Sequence, residues 1–271
     1  MNCQIIVTRP EPDASRWTQA LRERGHDTLA FPLIAIAPPL DSAAVVRAHA
    51  QLQQPQRWQA VMFVSSQAVN AFFKPNWPLT PLDTAQTAIN TGATVDLRWW
   101  ATGPGTRHAL LQVGAAPRQI DAPADDAAQF DSEALWLLVS QQITPGHRVL
   151  LVRGGNEAGD PDGRDWLAQQ LHARGAQVDT LVAYRRCAPT PDVALVARVF
   201  RQPALWLFSS SQAVAHWQTL FPSAPANPAF QAQALTTHPR ITLAAQDAGF
   251  SVVYESRPTL PAVIAALESI A

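Results

Sequence analysis

The chain has 271 residues, a hydrophobic fraction of 47% and a formal net charge of −1. This length suits two globular domains, and the near-zero charge excludes a bulk positive field that would attract nucleic acid or an anionic membrane. Two cysteines, Cys3 and Cys187, are too few for a disulfide framework or a cysteine-rich metal site. Arg9, Pro10 and Pro12 interrupt the apolar core that a signal peptide needs, and no apolar run approaches a membrane span. We therefore expect a cytoplasmic protein.

Short apolar runs rich in β-branched residues alternate along the chain with single amphipathic stretches, which predicts alternating strands and helices. In chain order, strands are predicted at 4–8, 27–31, 60–64, 97–102, 148–152, 178–184, 204–208 and 234–237. Helices are predicted at 13–24, 67–73 and 164–174, with others that end near residues 114, 220 and 249 and one that begins at 131–133, where Asp131 supplies a capping side chain. Loops are predicted at 75–96, 115–130, 154–163 and 222–230. Such alternation indicates parallel sheets that are covered by helices on both faces.

Parts of the sequence occur twice. The matching pairs are 63–69 with 208–214, 6–9 with 150–153, and 21–25 with 171–175. In the first pair, six of seven residues are identical. Three matches in the same order indicate a duplicated domain, and the cleft between two such domains is a common place for a ligand.

The repeated motifs lie where strands are predicted to end and helices to begin. Ligands bind at this edge of open parallel sheets, where free N–H groups and the helix dipole attract anions. The candidate binding residues at these turns are Ser65, Ser66, Gly103, Thr106, Ser209, Ser210, Ser211, His238 and Arg240. Helix capping alone would explain any one serine or threonine, whereas the recurrence in both halves favours binding.

Three more residues near strand ends are candidates. Arg9 and Arg153 are equivalent in the repeat, and each could face an anion or pair with a local carboxylate. Tyr184 lies in a predicted strand, where its phenol either packs against a neighbouring domain or donates a proton or hydrogen bond to a leaving group. The histidines show no pair at metal-ligand spacing, and 103–108 lacks the third glycine of a dinucleotide loop, so we expect no cofactor.

A larger set of segments follows one order and spacing along the chain. These are Val7-Thr8-Arg9-Pro10, Gly25-His26, Phe31-Pro32-Leu33-Ile34, Phe63-Val64-Ser65-Ser66, Gly103, Thr106, Asp131-Ser132-Glu133-Ala134-Leu135, Val152-Arg153-Gly154, Gly163-Arg164 through Leu167, Arg174-Gly175-Ala176, Tyr184-Arg185-Arg186, Phe208 through Val214, and His238-Pro239-Arg240-Ile241. In these segments the chain resembles the uroporphyrinogen-III synthase family over its whole length. It departs from that family at the long loop 156–162, and at His238, Pro239 and Arg240, where some members carry a threonine.

The resemblance implies two similar parallel-sheet α/β domains joined by a two-stranded linker, with a ligand cleft between them. One domain would combine residues 1–34 and 188–271, and the other would contain residues 38–181. The linker strands would lie at about 34–37 and 182–187, and a hinge of two strands permits closure over a substrate.

The resemblance also implies an activity. Members of the family cyclise the linear tetrapyrrole hydroxymethylbilane to uroporphyrinogen III, with loss of water and inversion of ring D through a spiro intermediate, and need no cofactor. Tyr184 would assist loss of the hydroxyl, while Arg9, Arg153, Gly154 and the turn residues would hold substrate carboxylates. We expect a monomer that binds neither nucleic acid nor a membrane.

Two alternatives stay open on the sequence. One is a catalytically inactive tetrapyrrole- or small-anion-binding module of the same fold, which would usually carry a fused DNA-binding or membrane segment. The other is an unrelated two-domain binder of periplasmic type, which would need a signal peptide. The sequence shows neither signal, which favours the enzyme.

Overall fold

The structure is a computed structural model that describes residues 3–52, 54, 57–73, 97–127, 129–224 and 233–270. Its strands are β1 (Gln4–Val7), β2 (Thr28–Ala30), β3 (Ala35–Ala37), β4 (Ala60–Phe63), β5 (Arg98–Ala101), β6 (Ile120–Asp121), β7 (Arg148–Gly155), β8 (Gln177–Cys187), β9 (Ala204–Phe208), β10 (Gln233–Thr236) and β11 (Val252–Glu255). Its α-helices are α1 (Asp13–Arg22), α2 (Ser42–Gln51), α3 (Ser66–Phe73), α4 (Pro104–Gln112), α5 (Ser132–Val139), α6 (Trp166–Ala173), α7 (Val193–Val199), α8 (Ser211–Leu220), α9 (Pro239–Asp247) and α10 (Leu260–Ile270).

The predicted strands are all present. Two of the predicted loops differ from the structure. The loop predicted at 154–163 begins two residues later in the structure, because β7 continues through Gly154 and Gly155 alongside β8. The predicted loop 115–130 contains a 3₁₀ turn and the two-residue strand β6, which is too short to give a periodic signal. The predicted loop 75–96, and most of that at 222–230, lie outside the described residues.

The two sheets have related strand orders. The first has the order β11-β10-β9-β1-β2, and its neighbouring strands are all parallel. The second has the order β3-β8-β7-β4-β5-β6, and it is parallel from β8 to β6. Numbered along the chain within each sheet, the first reads 2-1-3-4-5 from β2, and the second, without β3, reads 5-4-1-2-3 from β8, which is the same doubly wound order circularly permuted. In such sheets ligands bind where the order reverses. That point lies between β1 and β9 in the first sheet and between β7 and β4 in the second.

Helices cover both faces of the first sheet. Ile6 and Trp206 face one way and pack under α8 and α9, whereas Ile5 and Leu205 face the other way and pack under α1 and α10. Successive side chains of a strand therefore point into two separate hydrophobic cores, one on each face of the sheet. Because both faces are buried, the strands are apolar throughout. The predicted α/β fold with parallel sheets is confirmed.

The chain divides into two compact units by its internal contacts. Unit 1 comprises Met1–Ile36 and Cys187–Ala271, and unit 2 comprises Ala37–Arg186. The chain passes between them within β3 and at the end of β8. The first strand-helix-strand segment thus pairs with the C-terminal part of the chain, since β1 lies beside β9. The predicted domains, and the cleft between them, stay predictions.

The predicted cap of α5 gives a direct stability test. Asp131 Oδ1 accepts a hydrogen bond of 2.8 Å from the backbone N–H of Ala134, and this satisfies one of the unpaired donors at the helix start. We expect Asp131→Ala to lower the free energy of unfolding by about 1 kcal/mol. Denaturant unfolding followed by circular dichroism measures this change. The matched control is Asp126→Ala, at an exposed acidic residue in the preceding loop; equal effects of the two substitutions would contradict the capping role.

Candidate functional site

Three neighbouring strands of unit 2 bring a pair of hydroxyl groups together at their carboxyl ends. Ser65 follows β4, Gly154 lies in β7 and Tyr184 lies in β8. The Oη atom of Tyr184 is 3.3 Å from Oγ of Ser65. This separation is longer than the usual 2.7–2.8 Å for two hydroxyls, and catalytic contacts of this kind often shorten when a ligand binds. The pair spans the point where the strand order reverses, which is the expected ligand position.

A β-bulge directs Tyr184 to this place. Arg153 pairs with Val182 but Gly154 pairs with Tyr184, so Ala183 is an extra residue in β8. Such a bulge shifts the register and re-aims the side chains that follow it. A Cβ atom on Gly154 would lie 2.6 Å from Cζ of Tyr184 and 2.9 Å from its Oη. The phenol ring therefore lies against the backbone of β7, and this close approach requires glycine at position 154.

The hydrogen bonds at the pair have a defined direction. Arg186 Nη2 donates to Oη of Tyr184 over 3.2 Å, and the backbone N–H of Ala68 donates to Oγ of Ser65 over 3.1 Å. Both donors lack an acceptor function, so each hydroxyl already accepts one hydrogen bond. The two hydroxyl groups have two hydrogens, and one of them forms the hydrogen bond between Ser65 and Tyr184. Within the described part of the chain, the second hydrogen has no acceptor. The pair can offer that hydrogen to a ligand.

The exposure of the two side chains decides which hydroxyl a ligand would meet. Tyr184 is only 1% exposed, whereas Ser65 is partly exposed. A ligand that accepts a hydrogen bond from Ser65 would be connected to the buried Tyr184 through the hydrogen bond between the two hydroxyls. The arrangement can therefore pass a proton outward from a buried phenol through a surface hydroxyl.

Arg186 remains charged at this position. Burial disfavours its charged form, but the hydrogen bonds to Tyr184 and Asp162 and the carboxylate charge of Asp162 outweigh burial and raise the pKa of the guanidinium. The carboxylate of Asp162 accepts from Arg186 Nη1 over 3.1 Å. Sequence reasoning missed both residues. Arg186 had a usable signal, because residues two apart on a strand share a face and it follows Tyr184 by two.

The predicted arginines both pair with a local carboxylate. Arg153 is 4% exposed and its Nη1 donates to Asp165 over 2.7 Å. Arg9 Nη2 donates to Asp13 over 3.0 Å, and its guanidinium lies 4.3 Å from the ring centre of Trp17. In each case the Nε atom is buried without a partner among the described residues. Anion binding by these arginines stays a prediction.

The predicted turn residues of unit 2 lie at the start of two helices. Ser65 caps α3, and Ser66 is its first residue. Gly103 precedes α4, and a Cβ atom there would lie 3.0 Å from Cβ of Phe130. Thr106 lies in the first turn of α4 with its side chain buried. Capping therefore accounts for Ser65 in part, and its contact with Tyr184 is additional.

Unit 1 has the equivalent turns without the phenol. Ser210 caps α8 by accepting from the N–H of Gln212, and Ser209 precedes it. Ser211 begins the helix, and its Oγ is buried without a partner among the residues that the structure describes. His238 Nδ1 caps α9 by accepting from the N–H of Arg240, and both side chains are exposed. The repeat thus preserves the caps, whereas the hydroxyl pair belongs to unit 2.

Neither a metal site nor a membrane span occurs among the described residues. No three His, Cys, Asp or Glu side chains of those ranges form a group that could hold a metal ion. None of the helices in the same ranges is long and apolar enough to cross a membrane.

Comparison with known proteins gives one family. The family model described as Uroporphyrinogen-III synthase HemD matches residues 15–265. Uroporphyrinogen-III synthase of Salmonella typhimurium is 30% identical over 197 residues, which cover 70% of this chain and 68% of that protein. The Escherichia coli K12 protein of the same name is 29% identical over 191 residues, with coverages of 68% and 65%. That of Proteus mirabilis is 31% identical over 182 residues, with coverages of 67% and 79%.

Two solved structures share the fold. A mutant uroporphyrinogen III synthase of the extremely thermophilic bacterium Thermus thermophilus has a TM-score of 0.53 at 17% identity, covering 99% of this chain and 97% of that one. Uroporphyrinogen-III synthetase of Helicobacter pylori 26695 has a TM-score of 0.54 at 15% identity, with coverages of 99% and 100%. Identities this low bear on the fold alone, and they agree with the parallel sheets described above.

Proposed function

Since this chain belongs to the uroporphyrinogen-III synthase family, we propose that it converts hydroxymethylbilane to uroporphyrinogen III. The activity is that of a cyclising lyase in tetrapyrrole biosynthesis. The observation that carries the proposal within the structure is the hydroxyl pair of Ser65 and Tyr184, which has one hydrogen to give and lies where the strand order reverses.

The pair fits the first chemical step. A proton passes from the pair to the hydroxyl oxygen of the substrate as the C–O bond breaks, and the electron pair of that bond leaves in water. The nitrogen of the pyrrole ring that carries this hydroxymethyl group supplies the electrons for the new double bond of the azafulvene. The substituted position of ring D then attacks to form the spiro intermediate. Its fragmentation and reclosure release one proton, which restores the pair, so no redox co-reactant is required.

Carboxylate binding is proposed for the turn residues. The first turn of a helix has backbone N–H groups without an intrahelical acceptor, and a helix start favours negative charge. In α3 and α4 this first turn lies next to Ser66, Gly103 and Thr106. The corresponding residues of unit 1 are Ser209, Ser210, Ser211, His238 and Arg240. Arg9, Arg153 and Gly154 complete the proposed set. Holding a flexible substrate in one bend is an orientation effect, which can account for much of such a catalysed rate.

The remaining proposals concern the whole molecule. We propose a cytoplasmic monomer in which the two units act as the domains of the enzyme. Its net charge of −1 gives it no bulk attraction for nucleic acid or for anionic lipid. Size-exclusion chromatography with light scattering tests the monomer directly.

The isomer of the product tests the activity. Hydroxymethylbilane left alone cyclises without inversion of ring D and gives the type I isomer. We expect the purified protein to give type III, measured by chromatography of the oxidised porphyrins against a protein-free incubation. Type I alone would contradict the proposal, and bound substrate without turnover would favour the inactive binding module.

A further inference from the structure

Arg186 follows Tyr184 by two residues on β8 and donates a hydrogen bond to its phenol, and Asp162, in the loop after β7, binds Arg186. We propose that Arg186 and Asp162 are positioning residues, which make the Ser65–Tyr184 pair present a hydrogen rather than a lone pair to the substrate. The inference rests on the proposed function and assigns roles to two residues that have no part in holding carboxylates.

The first step of the argument is the donor-only nature of arginine. A guanidinium has no acceptor atom, so the contact of 3.2 Å from Arg186 Nη2 to Tyr184 Oη has one possible direction. It occupies an acceptor position on the phenol oxygen. The phenol hydrogen must then point away from Arg186, towards Ser65 or the substrate. Without Arg186, the phenol could accept a hydrogen from the substrate hydroxyl, and the leaving oxygen would receive no proton.

The second step is that Arg186 is itself held. Its Nη1 donates to Oδ2 of Asp162 over 3.1 Å, while the backbone N–H of Asp162 donates to the carbonyl of Gly154 over 3.0 Å. Asp162 is thereby tied to the strand on which the phenol rests. The guanidinium carbon lies 5.8 Å from the ring centre of Tyr184, close enough for a cation–π contact. Both the carboxylate and the ring fix the orientation of the donor.

The third step separates this role from substrate binding. An arginine that grips a carboxylate presents its fork of two terminal nitrogens. The terminal nitrogens of Arg186 are engaged by Asp162 and Tyr184. The preceding residue on the strand, Arg185, faces differently and donates to the backbone carbonyls of Pro38 and Glu157, each over 2.8 Å. Arg185 therefore provides a matched control with the same charge and nearly the same position.

A double-mutant cycle between Arg186 and Tyr184 tests the proposal. Steady-state kinetics on hydroxymethylbilane are measured for Arg186→Met, Tyr184→Phe and the double variant, with the protein-free rate subtracted. We expect each single substitution to lower kcat by about tenfold, the scale of one lost hydrogen bond, with KM changed less than about twofold. The double variant should be within about twofold of Tyr184→Phe, because Arg186 acts through the phenol.

Several outcomes decide the matter. A loss from Arg186→Met that is equally large in the Tyr184→Phe background, or a raised KM with unchanged kcat, would overturn the proposal and indicate carboxylate binding. Partial rescue by Arg186→Lys, another donor-only side chain, supports it. Arg185→Met should keep kcat within about twofold, since no hydrogen bond of the pair is lost; a tenfold loss there would contradict a role specific to Arg186.

A second variant allows the same test if the first variant does not fold. If Arg186→Met does not fold by circular dichroism, Asp162→Asn keeps the side-chain shape and removes only the charge that holds Arg186. It should lower kcat in the wild-type background and have little effect in the Tyr184→Phe background, and equal losses in both would overturn the proposal. Failure of the proposed function looks different, because the wild-type protein would then give no type III product.

Discussion

Gly154→Ala is expected to lower turnover at least as much as loss of the Tyr184 hydroxyl, by about tenfold or more. The new methyl carbon would lie 2.6 Å from Cζ of Tyr184, whereas carbon atoms pack best at about 3.5–4.0 Å. The phenol must therefore move by about 1 Å, which would break hydrogen bonds to Ser65 and Arg186 that are already 3.3 and 3.2 Å long. Because Tyr184 is buried, this shift should also destabilise the fold, by about 1–3 kcal/mol.

The same substitution in a second background shows whether the phenol carries the effect. Gly154→Ala should cost little further turnover when it is added to Tyr184→Phe, since the hydroxyl that it displaces is already missing. Steady-state kinetics below the unfolding temperature of each variant give this comparison. Unchanged turnover in Gly154→Ala would contradict the close packing of the phenol on β7. Equal losses in both backgrounds would mean that Gly154 acts on substrate directly.

Tyr184→Phe is expected to slow the consumption of hydroxymethylbilane by about tenfold while the enzymatic product remains type III. The substitution leaves the ring over Gly154 and removes only the oxygen that is proposed to supply the proton. In the proposed function the orientation of ring D depends instead on the groups that hold the carboxylates, so the isomer formed should not change. A time course with chromatographic separation of the isomers measures the rate and the product together.

The control for this prediction is the protein-free reaction, because uncatalysed type I product grows as catalysis slows. After subtraction, the enzyme-dependent product of Tyr184→Phe should contain no excess of type I over wild type. An excess would contradict a role confined to proton transfer. It would mean that Tyr184 helps to fold the substrate into its reactive bend.

The sequence predicted the parallel α/β fold because the apolar runs and the glycines that end helices are local signals. The repeat further indicated equivalent turns, and Ser65 and Ser210 do cap equivalent helices. The bulge that places Tyr184 beside Gly154 could not be predicted, since a register shift depends on how two strands pack. Asp162 lies in a loop without periodicity, and only its fold brings it to Arg186.

The repeat also suggested more symmetry than the structure has. Arg9 and Arg153 pair with similar carboxylates in the two units, as equivalent residues should. The phenol has no counterpart, because β2 ends at Ala30 whereas its equivalent β8 continues to Cys187. The short motif that repeats therefore records the helix caps, including Ser65, whereas the phenol that Ser65 contacts comes from the extended end of β8.

The most direct test of the proposed proton transfer is a single-turnover rate measurement on Ser65→Ala, Tyr184→Phe and the variant with both changes. If the two hydroxyls act as one donor, each substitution should slow loss of hydroxymethylbilane by about tenfold, and the double variant should be no more than about twofold slower than the slower single variant. Losses that multiply to about a hundredfold would show that the hydroxyls act independently, and would contradict the pair as the proton donor.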